Sequence, residues 1–217
     1  MSEVTIRDAA AVVVLRDGAG GASVLMGQRG AGAIFMPSKF VFPGGGVEPS
    51  DDGVPLARPL SERCRGALAR SSILAPETLA TAALRELAEE TGQVIGEPWN
   101  GDGPGCAWPG FAGLLPDAGA LTFVFRAITP PGRPRRFDAR FFLASAEALA
   151  TDPDDFSAAE DELSHLAWVP LEEARSLDMP FVTEMVLAEV AALRHAPAPG
   201  GVPFFDNSGD GSVVRRL

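Results

Sequence analysis

The sequence predicts an α+β protein with α/β/α layering. Three observations point that way. Short apolar runs pair as hairpins near the start of the chain. Helical stretches stand singly among the strands and do not alternate with them. The chain has 217 residues, 46% of them apolar, enough for one domain with a sizeable core.

The elements follow in order. Ala9 to Leu15 is rich in valine and ends at Arg16-Asp17-Gly18, a buried strand running into a turn. Ser23 to Gln28 is its hairpin partner, and Arg29 to Phe40 is loop-like. Phe40-Val41-Phe42 is a short strand stopped by the tight turn Gly44-Gly45-Gly46. After the polar run Ser50-Asp51-Asp52-Gly53, Leu60 to Ala69 reads as a helix. Pro76, at a first-turn position, opens a second helix that runs to Thr91. Gly92 caps it, and Leu79, Ala83, Leu84 and Leu87 form its apolar stripe. Gly96 to Gly110 is a long irregular loop holding Trp99 and Trp108. Leu121 to Ile128 and Phe137 to Leu143 are strands joined through the turn Pro130 to Pro134. Glu147 to Ala150 is a helical turn, and Leu163 to Val169 is a strand. Pro170 to Arg175 starts a short helix, and Phe181 to Leu193 is a final amphipathic helix. Residues 1–196 thus read as one domain with a helical insertion at about 50–75, and 197–217 as a C-terminal tail, Gly- and Pro-rich and mobile.

A net charge of −11 argues against nucleic acid or an anionic membrane as partner. It leaves room for a small phosphate-bearing ligand, because a bound cation inverts the local field. The two cysteines, Cys64 and Cys106, make neither a disulfide framework nor a zinc cluster. The opening MSEVTIRD has no secretory pattern, and the run Ala9 to Leu15 is too short to span a bilayer. The expectation is a soluble, cytoplasmic protein.

Chemistry concentrates in the second helix. Glu86, Glu89 and Glu90 stand at i, i+3 and i+4, on one helical face. Three crowded carboxylates repel unless a cation neutralises them, and hard ions such as Mg²⁺ or Mn²⁺ prefer oxygen ligands beside phosphates. A carbonyl from the glycine turn could add a neutral ligand. Taken alone, the string also describes an ordinary solvated helix face.

The string Arg85-Glu86-Leu87-Ala88-Glu89-Glu90-Thr91-Gly92 resembles the core of the Nudix box. That box reads Gly, five residues, Glu, seven residues, then Arg-Glu-apolar-x-Glu-Glu-x-Gly-apolar. Phe42-Pro43-Gly44-Gly45-Gly46-Val47-Glu48 looks like the strand and turn that open it. The resemblance implies the Nudix fold, a mixed central sheet with a catalytic helix. It implies a diphosphatase that attacks phosphorus with metal-activated water. Glu86, Glu89, Glu90 and the Gly44 carbonyl would hold Mg²⁺ or Mn²⁺. Arg85 would hold the glutamates in place, with Glu77, eight residues before it, as partner. Two departures stand out. About 26 residues, near Ser50 to Ala75, interrupt the box, which makes Asp51 or Asp52 a rival for the first acidic position. Gln93 replaces the final apolar residue.

The interrupted box resembles the branch containing peroxisomal acyl-CoA diphosphatases. Pro37-Ser38-Lys39-Phe40 and the strand Arg135 to Leu143 are similar to segments of that branch. That implies coenzyme A or acyl-CoA as substrate. ADP-ribose or another nucleotide sugar is the alternative, and a non-catalytic ligand-binding module the second alternative. No Ser-Lys-Leu address ends the chain. Arg29, Lys39 and Arg136 are candidate substrate contacts, Arg136 from the cluster Arg133, Arg135, Arg136 and Arg140. Glu162, with Glu160 behind it, is the candidate general base. His165 and His195 read as structural or exposed. Trp99, Trp108 and Phe111 read as satellite packing, with a pocket lining as the alternative. Many relatives pair as dimers, so a homodimer is a further expectation.

Overall fold

Strand alternation fixes the centre of the molecule. In a computed structural model describing residues 4–70, 72–101, 105–195, 200–209 and 211–217, the first strand, β1 (Ile6–Gly18), is the longest. Successive side chains of a strand point to opposite faces. Val12 and Val14 therefore enter one core, and Val13 and Leu15 the other. An amphipathic helix covers each face, which gives the three layers.

The remaining elements are β2 (Gly21–Arg29), β3 (Phe40–Val41), β4 (Gly44–Gly46), α1 (Glu62–Leu68), α2 (Pro76–Thr91), β5 (Gly96–Pro98) and β6 (Leu114–Pro116). They continue with β7 (Thr122–Ile128), β8 (Arg136–Ser145), β9 (Leu163–Pro170), α3 (Leu171–Ala174), α4 (Phe181–His195), β10 (Pro203–Asp206) and β11 (Val213–Arg216). The main sheet runs β11-β10-β7-β8-β1-β2-β3, with β4 also on β1 and β9 also on β2. It is mixed: β1 runs parallel to β8, and β10 to β7, while the other pairs are antiparallel. Along the first half of β1, Ala9 faces Gly46 and Ala11 faces Gly44, so the glycine turn is itself a short strand.

Helix α2 lies on the face carrying Val12 and Val14, with Leu79, Ala83, Leu84 and Leu87 in the core there. Pro76 stands in its first turn, and Gly92 closes it with φ of 72° and an N–H donated to the Ala88 carbonyl. Nearly all of α2 is buried, because α1 and the neighbouring loops pack over it. Helix α4 covers the opposite face with Val186, Leu187 and Val190. Among the described residues, no helix is long and apolar enough to cross a membrane.

Two sequence expectations change here. The segment read as a tail contributes two strands. Phe204 pairs with Arg126 and Phe205 with Ala127 on β7, and β11 folds back on β10. Phe204 is buried between the guanidinium groups of Arg126 and Arg215, at 4.3 and 4.7 Å from its ring. A Gly/Pro-rich run conceals this apolar pair, and residues 196–199 lie outside the described residues. The described parts of the loop at 96–110 are also tied down. β5 and β6 bracket it as a two-stranded sheet, and Phe111 is buried against Val94 and Ala88 with Trp108 edge-on to it.

Candidate active site

Helix α2 and the glycine turn meet where β1 exchanges β2 for β4 as its neighbour. The Gly44 N–H donates to Glu90 Oε2 at 2.7 Å. At Gly45, a methyl group would stand 2.5 Å from the Glu86 carboxyl, so only glycine lets that carboxyl lie against the backbone. Glu86, Glu90 and the turn are thus one packed unit.

Arg85 organises the acids. Its Nε and Nη2 donate to the two oxygens of Asp51 at 2.7 and 3.1 Å. Its Nη1 reaches Glu86 at 3.0 Å and Glu89 at 2.8 Å, and Nη2 also reaches the Gly46 carbonyl at 3.0 Å. Asp51 and Arg85 are both buried. Burial works against the guanidinium charge, but the bond to Asp51 and the three carboxylates outweigh it and raise its pKa. A forked, bidentate pair of this kind is the strong form of the arginine–carboxylate interaction.

The partner is Asp51, not Glu77. Glu77 instead pairs with Arg65 of α1 at 2.7 Å, half-exposed at the surface. The signal was present in the spacing. Gly45, five residues, then Asp51 is the interval that the box places between its glycine and first acid. Counting backwards from Arg85 reaches Glu77 instead, because the insertion lies between Asp51 and α2.

Burial pushes the Glu86 carboxyl up to about 7, against the pull of Arg85 and with repulsion from Glu89 and Glu162. Glu90 rises well above the usual carboxylate range, again chiefly by burial and despite the Gly44 N–H. Glu89 is the more exposed of the three. Among the described residues, no three acidic groups stand as a ready-made metal cage, since Arg85 draws Glu86 and Glu89 toward itself. The donors nevertheless fit a hard divalent cation. All are oxygens, and Glu90 Oε1 is buried with no partner.

Two further groups border the carboxylates. Glu162, immediately before β9, repels both Glu86 and Glu90, and it pairs with Arg29 of β2 at 3.1 Å. Glu162 is held near α2 by the loop before it. The Glu160 N–H donates to the Glu89 carbonyl at 2.8 Å. Gln93 donates to the carbonyls of Asp152 and Asp155 at 3.1 and 2.8 Å and accepts from Thr151 at 2.8 Å. The polar residue at an apolar position of the box is therefore a staple for this loop.

Other candidates fall elsewhere. Arg136 is buried and donates to the carbonyls of Thr129 and Asn207, at 3.0 and 2.7 Å, so it ties the C-terminal strands to the sheet and does not face the acids. Arg140 pairs with Asp8 and Asp138 inside the sheet. Lys39 pairs with Asp178 at the surface. His165 has φ of 52° at the irregularity where β9 slips against β2, and its Nδ1 lies 3.1 Å from the neighbouring Ser164 hydroxyl.

A family model for the NUDIX domain matches residues 5–189. The chain belongs to the Nudix family. A Nudix hydrolase from Alicyclobacillus acidocaldarius is 30% identical, covering 88% of this chain and 93% of that one, with a TM-score of 0.67. The MutT protein of Methanosarcina mazei Go1 matches at 13% identity over 90% of this chain and all of its own, with a TM-score of 0.54. The Nudix domain of Shewanella oneidensis NrtR, crystallised with ADP-ribose, matches at 13% over 88% and 90%, with a TM-score of 0.53. The last two share the fold alone. No curated protein matches the chain significantly. The Nudix chain described here is a hydrolase acting on diphosphate anhydride bonds.

Proposed function

We propose that this Nudix hydrolase cleaves the diphosphate linkage of a nucleoside diphosphate derivative, with coenzyme A or an acyl-CoA as its substrate and Mg²⁺ or Mn²⁺ as its cofactor. The observation that carries the reading is the buried pair Glu86 and Glu90 beneath the glycine turn, with one carboxylate oxygen left unpartnered. Glu86, Glu89, Glu90 and the Gly44 carbonyl would hold the cation. Such an ion, when bound, lowers the pKa of a water and screens charge developing on phosphorus. Arg85 and Asp51 keep Glu86 and Glu89 oriented, and the Gly44 N–H orients Glu90. Glu162 accepts the proton of the attacking water at its carboxylate.

The coenzyme A assignment rests on the interrupted box and on the similarity of Pro37 to Phe40. The strand Arg135 to Leu143 supports it less, since Arg136 and Arg140 are engaged inside the sheet. A substrate panel of coenzyme A, ADP-ribose, NADH and diadenosine polyphosphates, with products identified by mass spectrometry, tests it. Release of 3′,5′-ADP and phosphopantetheine is expected. Turnover of ADP-ribose without coenzyme A would replace the substrate. Binding without cleavage of any of them would favour a ligand-binding module.

A further inference from the structure

Among the described residues, two buried side-chain polar atoms lack any partner: Nε of Arg29 and Oε1 of Glu90. One is a donor and the other an acceptor. They share a neighbourhood, because the positive charge of Arg29 acts on the Glu90 carboxyl. Unsatisfied buried groups are rare in folded proteins, and each calls for an explanation. Here the donor without a partner belongs to a guanidinium, a group that pairs well with anions.

Another nitrogen of the Arg29 guanidinium is engaged. Its Nη2 donates to Glu162 Oε1 at 3.1 Å. The backbones beneath are fixed: Arg29 faces Leu163 across the β2–β9 pair, and its N–H donates to the Lys39 carbonyl. Glu162, the weaker-anchored of the two, has a side chain 56% exposed, against 20% for Arg29. A guanidinium fork matches two phosphate oxygens better than it matches the single carboxylate oxygen it now touches.

We propose that Arg29 is the phosphate-receiving residue of this site and that Glu162 masks it until a substrate diphosphate displaces the carboxylate. Phosphate oxygens take the Nε and Nη2 hydrogens of Arg29. The freed Glu162 turns toward the water side of the acids. Arg29 is thus a binding residue, and the ion pair is a latch between binding and proton transfer. The inference rests on the diphosphatase reading above.

Calorimetric titration of the full chain with ADP and with inorganic pyrophosphate, in EDTA, reads the latch without catalysis. E162Q is expected to bind both probes about two- to fivefold more tightly, the scale of one exposed ion pair released. R29M is expected to weaken binding by about 10- to 100-fold, the scale of lost charge-assisted hydrogen bonds, and R29K to recover only part of it. In R29M/E162Q the tightening seen in E162Q vanishes, whereas simple removal of a negative charge would keep it. Full recovery in R29K, or E162Q tightening that persists without Arg29, would overturn the latch. Absence of any binding by the wild type in EDTA would overturn the latch, whereas the diphosphatase reading stands or falls separately on the substrate panel run with Mg²⁺ or Mn²⁺. In turnover assays the latch appears as a lower KM together with a lower kcat in E162Q. A KM unchanged in E162Q overturns it.

Discussion

Replacing Asp51 with asparagine removes the charge that Arg85 holds in the interior. Asp51 is fully buried and Arg85 nearly so, with side-chain exposures of 0% and 5%. Their two hydrogen bonds, 2.7 and 3.1 Å, lie away from water. Breaking one partner of such a pair costs about 3–5 kcal/mol, because the remaining charge stays buried. Asparagine keeps an acceptor, and Arg85 keeps Glu86, Glu89 and the Gly46 carbonyl, so about 3 kcal/mol is expected. Glu77→Gln removes only the half-exposed pair with Arg65, worth about 0.5 kcal/mol. With a urea m-value of about 2 kcal/mol/M, Asp51→Asn lowers the unfolding midpoint by about 1.5 M and Glu77→Gln by about 0.25 M. Urea denaturation followed by circular dichroism in EDTA measures both. Equal shifts in the two variants, or no shift for Asp51→Asn, would refute the clamp as described.

Other expectations concern the same acids and their surroundings. Glu86 sits at about 7 when folded and 4.5 when unfolded, so its contribution to stability is full below pH 4.5 and is lost as pH rises through 7. In metal-free protein, Glu86→Gln should therefore flatten the fall in stability between pH 5 and pH 8, and an unchanged pH slope would contradict the burial argument. Gly45→Ala pushes the flexible Glu86 carboxyl aside; stability should change by about 1 kcal/mol or less while kcat/KM falls about 100-fold, the scale of a 1 Å misplacement. Arg136→Ala removes the donor of one buried and one part-buried carbonyl and should cost about 1–3 kcal/mol by denaturation, with KM unaltered. Glu89→Gln with Glu90→Gln should abolish turnover in the substrate panel; retained activity would count against the carboxylate mechanism.

The helix α2, the glycine turn and most strands were legible because each rests on local chemistry: apolar periodicity, a first-turn proline, a capping glycine. The points misread were matters of distance in the fold. Arg136 looks like a basic surface residue in a row of arginines, and only the pairing of β10 with β7 reveals the carbonyl of Asn207 above it. The identity of the arginine partner was decided by which side of the insertion one counts from, and α1 draws Glu77 away by offering Arg65. Phe204 and Phe205 carry a strand signal too short to outweigh the glycines and prolines beside them. The link between Arg29 and Glu162 joins residues 133 positions apart in sequence, and no local pattern announces it.

Gln93 fastens the segment at 151–155 to the end of the carboxylate helix through three hydrogen bonds, and Glu160 adds a fourth from its own backbone. Glu162 therefore follows a loop that is hydrogen-bonded to the end of the helix. Amide hydrogens such as that of Glu160 should exchange with deuterium on the slow timescale of α2, not the fast one of a surface lid. The proposed latch then asks only a single side chain to swing, and side-chain rotation, at about nanoseconds, is faster than the opening of a loop.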